Sequence, residues 1–173
     1  LLSQKHADLV AEYADILQIG TRNAQNFQLL IAAARTGKPV LLKRGMSMRI
    51  MEWLLAGEYV LANRNPNLLF CERGIRTFED YTRNTLDLSA VAVVKAESHC
   101  PIVVDPSQGC GKASLVRSMC KGAVAVGADA LLVEVHPNPT EAISDAAQQI
   151  DLEGFAALID ELAPIAESVG REI

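Results

Sequence analysis

Five basic residues stand in short glycine-containing stretches. Arg22 lies in Gly-Thr-Arg-Asn, Lys43 and Arg44 in Leu-Lys-Arg-Gly, and Arg73 and Arg76 in Cys-Glu-Arg-Gly-Ile-Arg. Arginine offers a planar fork for carboxylate or phosphate, and lysine is a point charge that can also transfer a proton. Grouped cations in a chain of formal net charge −5 suit capture of a small anion. Gly45 beside Arg44 and Gly74 beside Arg73 let a ligand approach the backbone. Ion pairing is the competing use, since Glu72 and Glu79 are near enough in sequence to serve Arg73 and Arg76. Arg44 is the cation first assigned to structure. The second half of the chain holds Asp105, Glu134, His136 and Asp145. Two carboxylates and a histidine suit a divalent ion, and a buried Glu134 would need a cation or a metal beside it. His6 and His99 read as ordinary, one in an opening helix and the other before a strand.

Five short apolar runs carry these residues at their C-terminal ends: 14–20, 39–43, 68–71, 101–105 and 130–135. Their consecutive apolar positions are those of parallel strands buried on both faces. Amphipathic stretches separate them at 26–35, 48–63, 83–89, 114–126 and 152–169. The stretch at 83–89 is the weakest helix, and Pro164 predicts a kink or break in the last one. Strand and helix in alternation predict right-handed crossovers in a parallel α/β sheet, read here as one domain over 1–173. Ligands of such sheets bind at the C-terminal strand ends, where every run here places charge.

Composition narrows the classes. Half of the 173 residues are hydrophobic and 21% are charged, which suits a buried core and excludes disorder. The acidic balance argues against a nucleic-acid surface. No run reaches the roughly 18 apolar residues of a membrane helix, so neither nucleic acid nor membrane is an expected partner. The cysteines, Cys71, Cys100, Cys110 and Cys120, form no C-x-x-C pair, and reduced thiols in the cytoplasm are expected.

The segments ADILQIGTRNAQNF, KPVLLKRGMSMRIMEWLLAGEYVL, NLLFCERGIRTFEDYTRNTLDLSAV, PIVVDPS and GADALLVEVHPNPTEAISDAAQQ closely resemble 3-deoxy-D-arabino-heptulosonate 7-phosphate (DAHP) synthases of the type I beta group. The resemblance covers nearly the whole chain. It implies a partial (β/α)₈ TIM barrel whose five strands correspond to strands four to eight of the family barrel. It also implies condensation of phosphoenolpyruvate with erythrose 4-phosphate, the first step of the shikimate route, in a cytoplasmic homo-oligomer. By resemblance, Arg22, Lys43 and Arg73 grip phosphoenolpyruvate, and Lys43 protonates the forming alkoxide. Glu134 and Asp145 match two of four ligands of a divalent metal such as Mn²⁺, Mg²⁺ or Zn²⁺.

Two departures stand out. The family's Asp-Pro-Ser-His, whose histidine is a metal ligand, reads Asp-Pro-Ser-Gln here, ending at Gln108. A glutamine oxygen is a weak neutral replacement, and His136 is a candidate to compensate. Cys110 is a further candidate thiolate, although it belongs to a different loop. The segments that carry the family's Cys ligand and Lys-Pro-Arg-Thr clamp are also absent. The chain opens on the amphipathic LLSQKHADLVAEYAD without Met, so a longer sequence is expected upstream. The alternatives are an inactive fragment or non-catalytic subunit, or a related 3-deoxy-octulosonate 8-phosphate synthase acting on arabinose 5-phosphate.

Overall fold

The computed structural model describes residues 1–173 and divides into two compact units. The first is Leu1–Cys71 with Val93–Ile102, and the second is Glu72–Ala92 with Val103–Ile173. Five strands alternate with helices in the expected α/β order.

In the first unit, β1 (Leu17–Ile19), β2 (Val40–Lys43) and β3 (Leu68–Glu72) lie side by side and parallel. Leu17 faces Val40, and Lys43 faces Cys71. All four residues of β2 are buried, as its unbroken apolar run requires. Helix α1 (Ala7–Tyr13) precedes the strands, and α2 (Phe27–Arg35) and α3 (Ile50–Leu61) follow β1 and β2. The Asn26 side chain caps α2 by accepting from the Leu29 N–H at 3.2 Å. Leu29, Leu30, Ala33 and Ala34 form its buried face. In α3, Trp53 is fully buried with its ring edge-on to Phe70, 5.0 Å between centroids. Its indole N–H donates to the Leu42 carbonyl at 3.2 Å, so the large apolar ring is buried without orphaning its polar atom.

In the second unit, β4 (Ile102–Val104) continues into Asp105, whose N–H bonds the Glu72 carbonyl at 2.8 Å. Strand β5 (Ala130–Leu131) pairs with β4 in parallel, Val103 facing Ala130. Helix α4 (Ser89–Glu97) runs from residues of the second unit into residues of the first, and α5 (Pro106–Cys110), α6 (Ala113–Ala125) and α7 (Leu152–Ser168) belong to the second. Val116, Cys120 and Val124 of α6 pack with Leu158, Leu162 and Ala166 of α7. Both rows repeat every fourth residue, the spacing that stacks side chains on one helix face.

Three expectations need correction. Residues 83–88 are not helical, because their backbone groups are engaged elsewhere. Arg83 and Asn84 donate to the carbonyls of Cys110 and Gly109, and Thr85 pairs with Ile75. The helix starts only at Ser89. Helix α7 runs unbroken through Pro164. Pro164 sits on the exposed face, where water can serve the carbonyl that loses its N–H partner. The run 130–135 yields only two ladder residues and is half exposed; beyond it, Val135 bridges Ile150. No helix is long and apolar enough to cross a membrane.

Candidate active site

Asp105 ends β4 and starts the site. Its Oδ1 accepts the Gln108 N–H at 2.9 Å, so the carboxylate caps α5, with Pro106 at the first helical position. Gly111, at φ +69°, closes the helix in the left-handed region. That single turn sets the direction of the Gln108 side chain. Its Oε1 accepts from Arg73 Nη2 at 3.0 Å. Its Nε2 donates to Glu134 Oε1 at 2.8 Å and to Asp145 Oδ2 at 3.0 Å. Glu134 is anchored through its own N–H, which donates to Ser107 Oγ at 3.0 Å. Its second oxygen, Oε2, accepts from Gln148 Nε2 at 2.9 Å and Gln149 Nε2 at 3.0 Å.

Asp145 sits in the left-handed region at φ +52°, a conformation aspartate tolerates better than most residues. Its Oδ1 accepts from Arg83 Nη1 at 2.8 Å, and the same nitrogen donates to Gln148 Oε1 at 2.8 Å. The Gln108 amide, the largest influence, holds the Asp145 carboxyl below its ordinary range; partial burial opposes it, and the Arg83 guanidinium adds to the lowering, so the group is ionised at neutral pH. Asn84 Nδ2 donates to the Gln108 carbonyl at 2.9 Å and ties the 75–88 segment to α5. The outcome is a pair of carboxylates organised by three glutamine amides and a guanidinium.

Arg73, Gln108, Glu134 and Asp145 are therefore brought together within the second unit. Arg22 and Lys43 belong to the first unit. Arg22 lies exposed in the turn Thr21–Asn23 after β1, and Lys43 is buried at the end of β2. His136 does not join the carboxylates. Its Nδ1 accepts the Asn138 N–H at 3.0 Å in a local turn, and no group of three His, Cys, Asp or Glu residues forms a metal cluster. Asp105 is a helix cap. Burial, and then the Asp105 charge, push the Cys110 thiol up to about 11, so it is not a ready thiolate. Arg44 makes local contacts: its Nε donates to the Met48 carbonyl at 3.1 Å and its guanidinium lies 5.8 Å from the Trp53 ring centroid. Gly74 does not open the backbone to a ligand. It has a φ of +91°, and a Cβ there would stand 2.6 Å from Asn84 Cβ and 3.0 Å from Gly109 Cα.

Sequence reasoning missed Arg83, Gln148 and Gln149. The only signal for the glutamines is their adjacency three residues past Asp145, and Arg83 was absorbed into a helix that does not form.

The implied metal can be tested against these donors. Glu134 and Asp145 converge, but Gln108 turns its amide nitrogen, not its oxygen, towards them. An N–H group cannot ligate a cation. The expectation of Gln108 as an oxygen ligand is therefore corrected, and the donor set does not fit a divalent ion.

The chain resembles known proteins along nearly its whole length. It is 52% identical over 164 residues to a phospho-2-dehydro-3-deoxyheptonate aldolase of Thermotoga maritima, covering 95% of the chain and 48% of that protein. It is 32% identical over 170 residues to a 2-dehydro-3-deoxyphosphooctonate aldolase of Caulobacter vibrioides, covering 91% of the chain and 58% of that protein. Its structure superposes on a truncated form of 3-deoxy-D-arabino-heptulosonate 7-phosphate synthase from Thermotoga maritima with a TM-score of 0.97 at 51% identity, covering 99% of this chain and 65% of that one. The chain thus spans about half the length of the first of these curated relatives. The fold is the expected one, five parallel strands of a TIM-barrel fragment. Because residues 1–168 match the DAHP synthetase I family, the chain belongs to that family.

Proposed function

We propose that this chain serves a 3-deoxy-7-phosphoheptulonate synthase, which condenses phosphoenolpyruvate, erythrose 4-phosphate and water to DAHP and phosphate in the cytoplasm, at the head of the shikimate route. One observation carries the reading: identity to the Thermotoga heptonate aldolase, at 52%, is far above the 32% identity to the octonate aldolase of Caulobacter vibrioides. In this reading Arg22, Lys43 and Arg73 take the carboxylate and phosphate of phosphoenolpyruvate, the anions that guanidinium and ammonium groups recognise. C3 of phosphoenolpyruvate bonds to the aldehyde carbon, and the aldehyde oxygen takes a proton from Lys43. Water adds to C2 and releases a proton that restores the one Lys43 gave up, and the C2–O bond to the phosphate group breaks as phosphate departs. Arg73 is oriented by its bond to Gln108 and needs little reorganisation when the anion arrives.

The test is consumption of phosphoenolpyruvate that depends on erythrose 4-phosphate, with equal release of phosphate. It is run on the chain and on a version completed with the part that its Thermotoga relative carries. Turnover in the completed protein is expected. No turnover in either sinks the reading, and a preference for arabinose 5-phosphate moves the protein to the octulosonate class.

A further inference from the structure

The carboxylate pair Glu134–Asp145 has all the marks of a cation site except the cation's place, which a side chain fills. The Gln108 Nε2 bears two hydrogens and has two acceptors, one oxygen from each carboxylate, at 2.8 and 3.0 Å. The amide cannot turn over in place. Arg73 Nη2, a donor with no acceptor capacity, already holds its Oε1 at 3.0 Å. A flipped amide would set its NH₂ against the guanidinium and its oxygen against two anions, exchanging three hydrogen bonds for three repulsive contacts. The other carboxylate oxygens are engaged as well, Glu134 Oε2 by two glutamine amides and Asp145 Oδ1 by Arg83. Five N–H···O bonds from side chains thus distribute the charge of two carboxylates.

We infer that the Gln108 amide nitrogen replaces a divalent ion between Glu134 and Asp145, so that this site is built to work without a metal and Gln108 is a positioning residue linking the carboxylates to Arg73. The inference rests on the site placement used in the proposed function, but its readout is ion binding, which does not require turnover.

The experiment is Mn²⁺ titration of the 173-residue chain, followed by loss of the free-ion electron paramagnetic resonance signal. Gln108→His and Gln108→Glu are compared with the native chain. Each variant removes the amide donor and supplies a group that can ligate, a nitrogen in one case and a carboxylate in the other. The expected result is at least about tenfold tighter Mn²⁺ binding in one or both variants, within the scale on which groups around a metal tune its affinity. Asp145→Asn added to the tighter variant removes the gain. In the native chain, the Gln108 side-chain NH₂ resonance stays free of selective Mn²⁺ broadening. The inference is overturned if the native chain binds Mn²⁺ as tightly as both variants, if neither variant gains binding, or if Mn²⁺ selectively broadens the native Gln108 resonance. Should Gln108→His fail to fold, Gln108→Glu, nearly isosteric, decides the question alone.

Discussion

The ends of β2 and β3 are spelled almost alike. Lys43-Arg44-Gly45 closes one, and Glu72-Arg73-Gly74 closes the other. Both arginines are buried, yet they are put to different uses. Arg44 lies near the Trp53 ring and donates to the Met48 carbonyl, a packing and capping role inside the first unit. Arg73 meets the Gln108 amide and enters the polar network of the second unit. The glycines differ as well. The space a Cβ would take at Gly45 is filled by the flexible Met48 side chain, 2.6 Å away, whereas Gly74 has a positive φ and the Gly109 backbone against it. A strand-end Arg-Gly is therefore not a site by itself. What stands opposite the guanidinium decides its role.

The strongest test of this contrast concerns the glycines. Gly74→Ala should cost about 2–4 kcal/mol, combining a strained φ with overlap against backbone. Gly45→Ala should cost about 1 kcal/mol, since a methionine can move aside. Urea unfolding of both variants measures the gap, and equal costs would break the comparison.

Next come the arginines. Arg73→Ala should lower kcat/KM for phosphoenolpyruvate by about 100-fold or more in the completed enzyme, the scale of losing one charged donor at a reacting anion. Arg44→Ala should instead destabilise the fold by about 1–3 kcal/mol, because it strips a buried carbonyl of its donor. Steady-state kinetics alongside denaturation separates the two, and an Arg44 variant that is stable but inactive would reverse the assignment.

A smaller effect sharpens the picture around α5, on which the Arg73 end rests. Burial, then charge, raise Cys110 from 9.0 to about 11, and burial lifts Cys120 to about 12. The unfolded chain loses these protons from about pH 9, while the folded chain keeps them. Stability must therefore fall as pH rises from 9 towards 11. Cys110→Ala should flatten part of that decline in alkaline unfolding curves; an unchanged slope would place the cause elsewhere.

The smallest effect is at Asp145. Its lowered pKa contributes stability that is fully present above the ordinary carboxylate value and is lost as pH falls from there through the lower folded value. The side chain is one-third exposed, so solvent weakens the contribution. Asp145→Asn should slightly lower stability at neutral pH and slightly flatten the acid limb. A large loss would mean that Asp145 holds the whole network rather than one side of it.

Much of the fold was legible because its signals are local. An unbroken apolar run such as Val40–Lys43 reads as a buried strand wherever it lies. The fourth-residue spacing of Val116, Cys120 and Val124 reads as a helix face before its partner is known. Residues 83–88 do not form the helix their pattern suggests because the Arg83 and Asn84 backbone donors are claimed by α5, a contact no local pattern announces. The site divides in the same way. The residue types of Arg73, Glu134 and Asp145, at the ends or beyond the ends of apolar runs, marked them as candidates.

By itself, then, the sequence determined the order of strands and helices, the charged strand ends and the family, since each follows from residue type and short-range spacing. Only the tertiary structure decided which Arg-Gly end is structural, which atom of Gln108 faces the carboxylates, and that Arg83 and two further glutamines complete the network. Those choices depend on hydrogen bonds between residues far apart in sequence, 35 positions from Arg73 to Gln108 and 62 from Arg83 to Asp145. A hydrogen bond is set by the position and direction of two groups, and folding alone brings such groups to face each other.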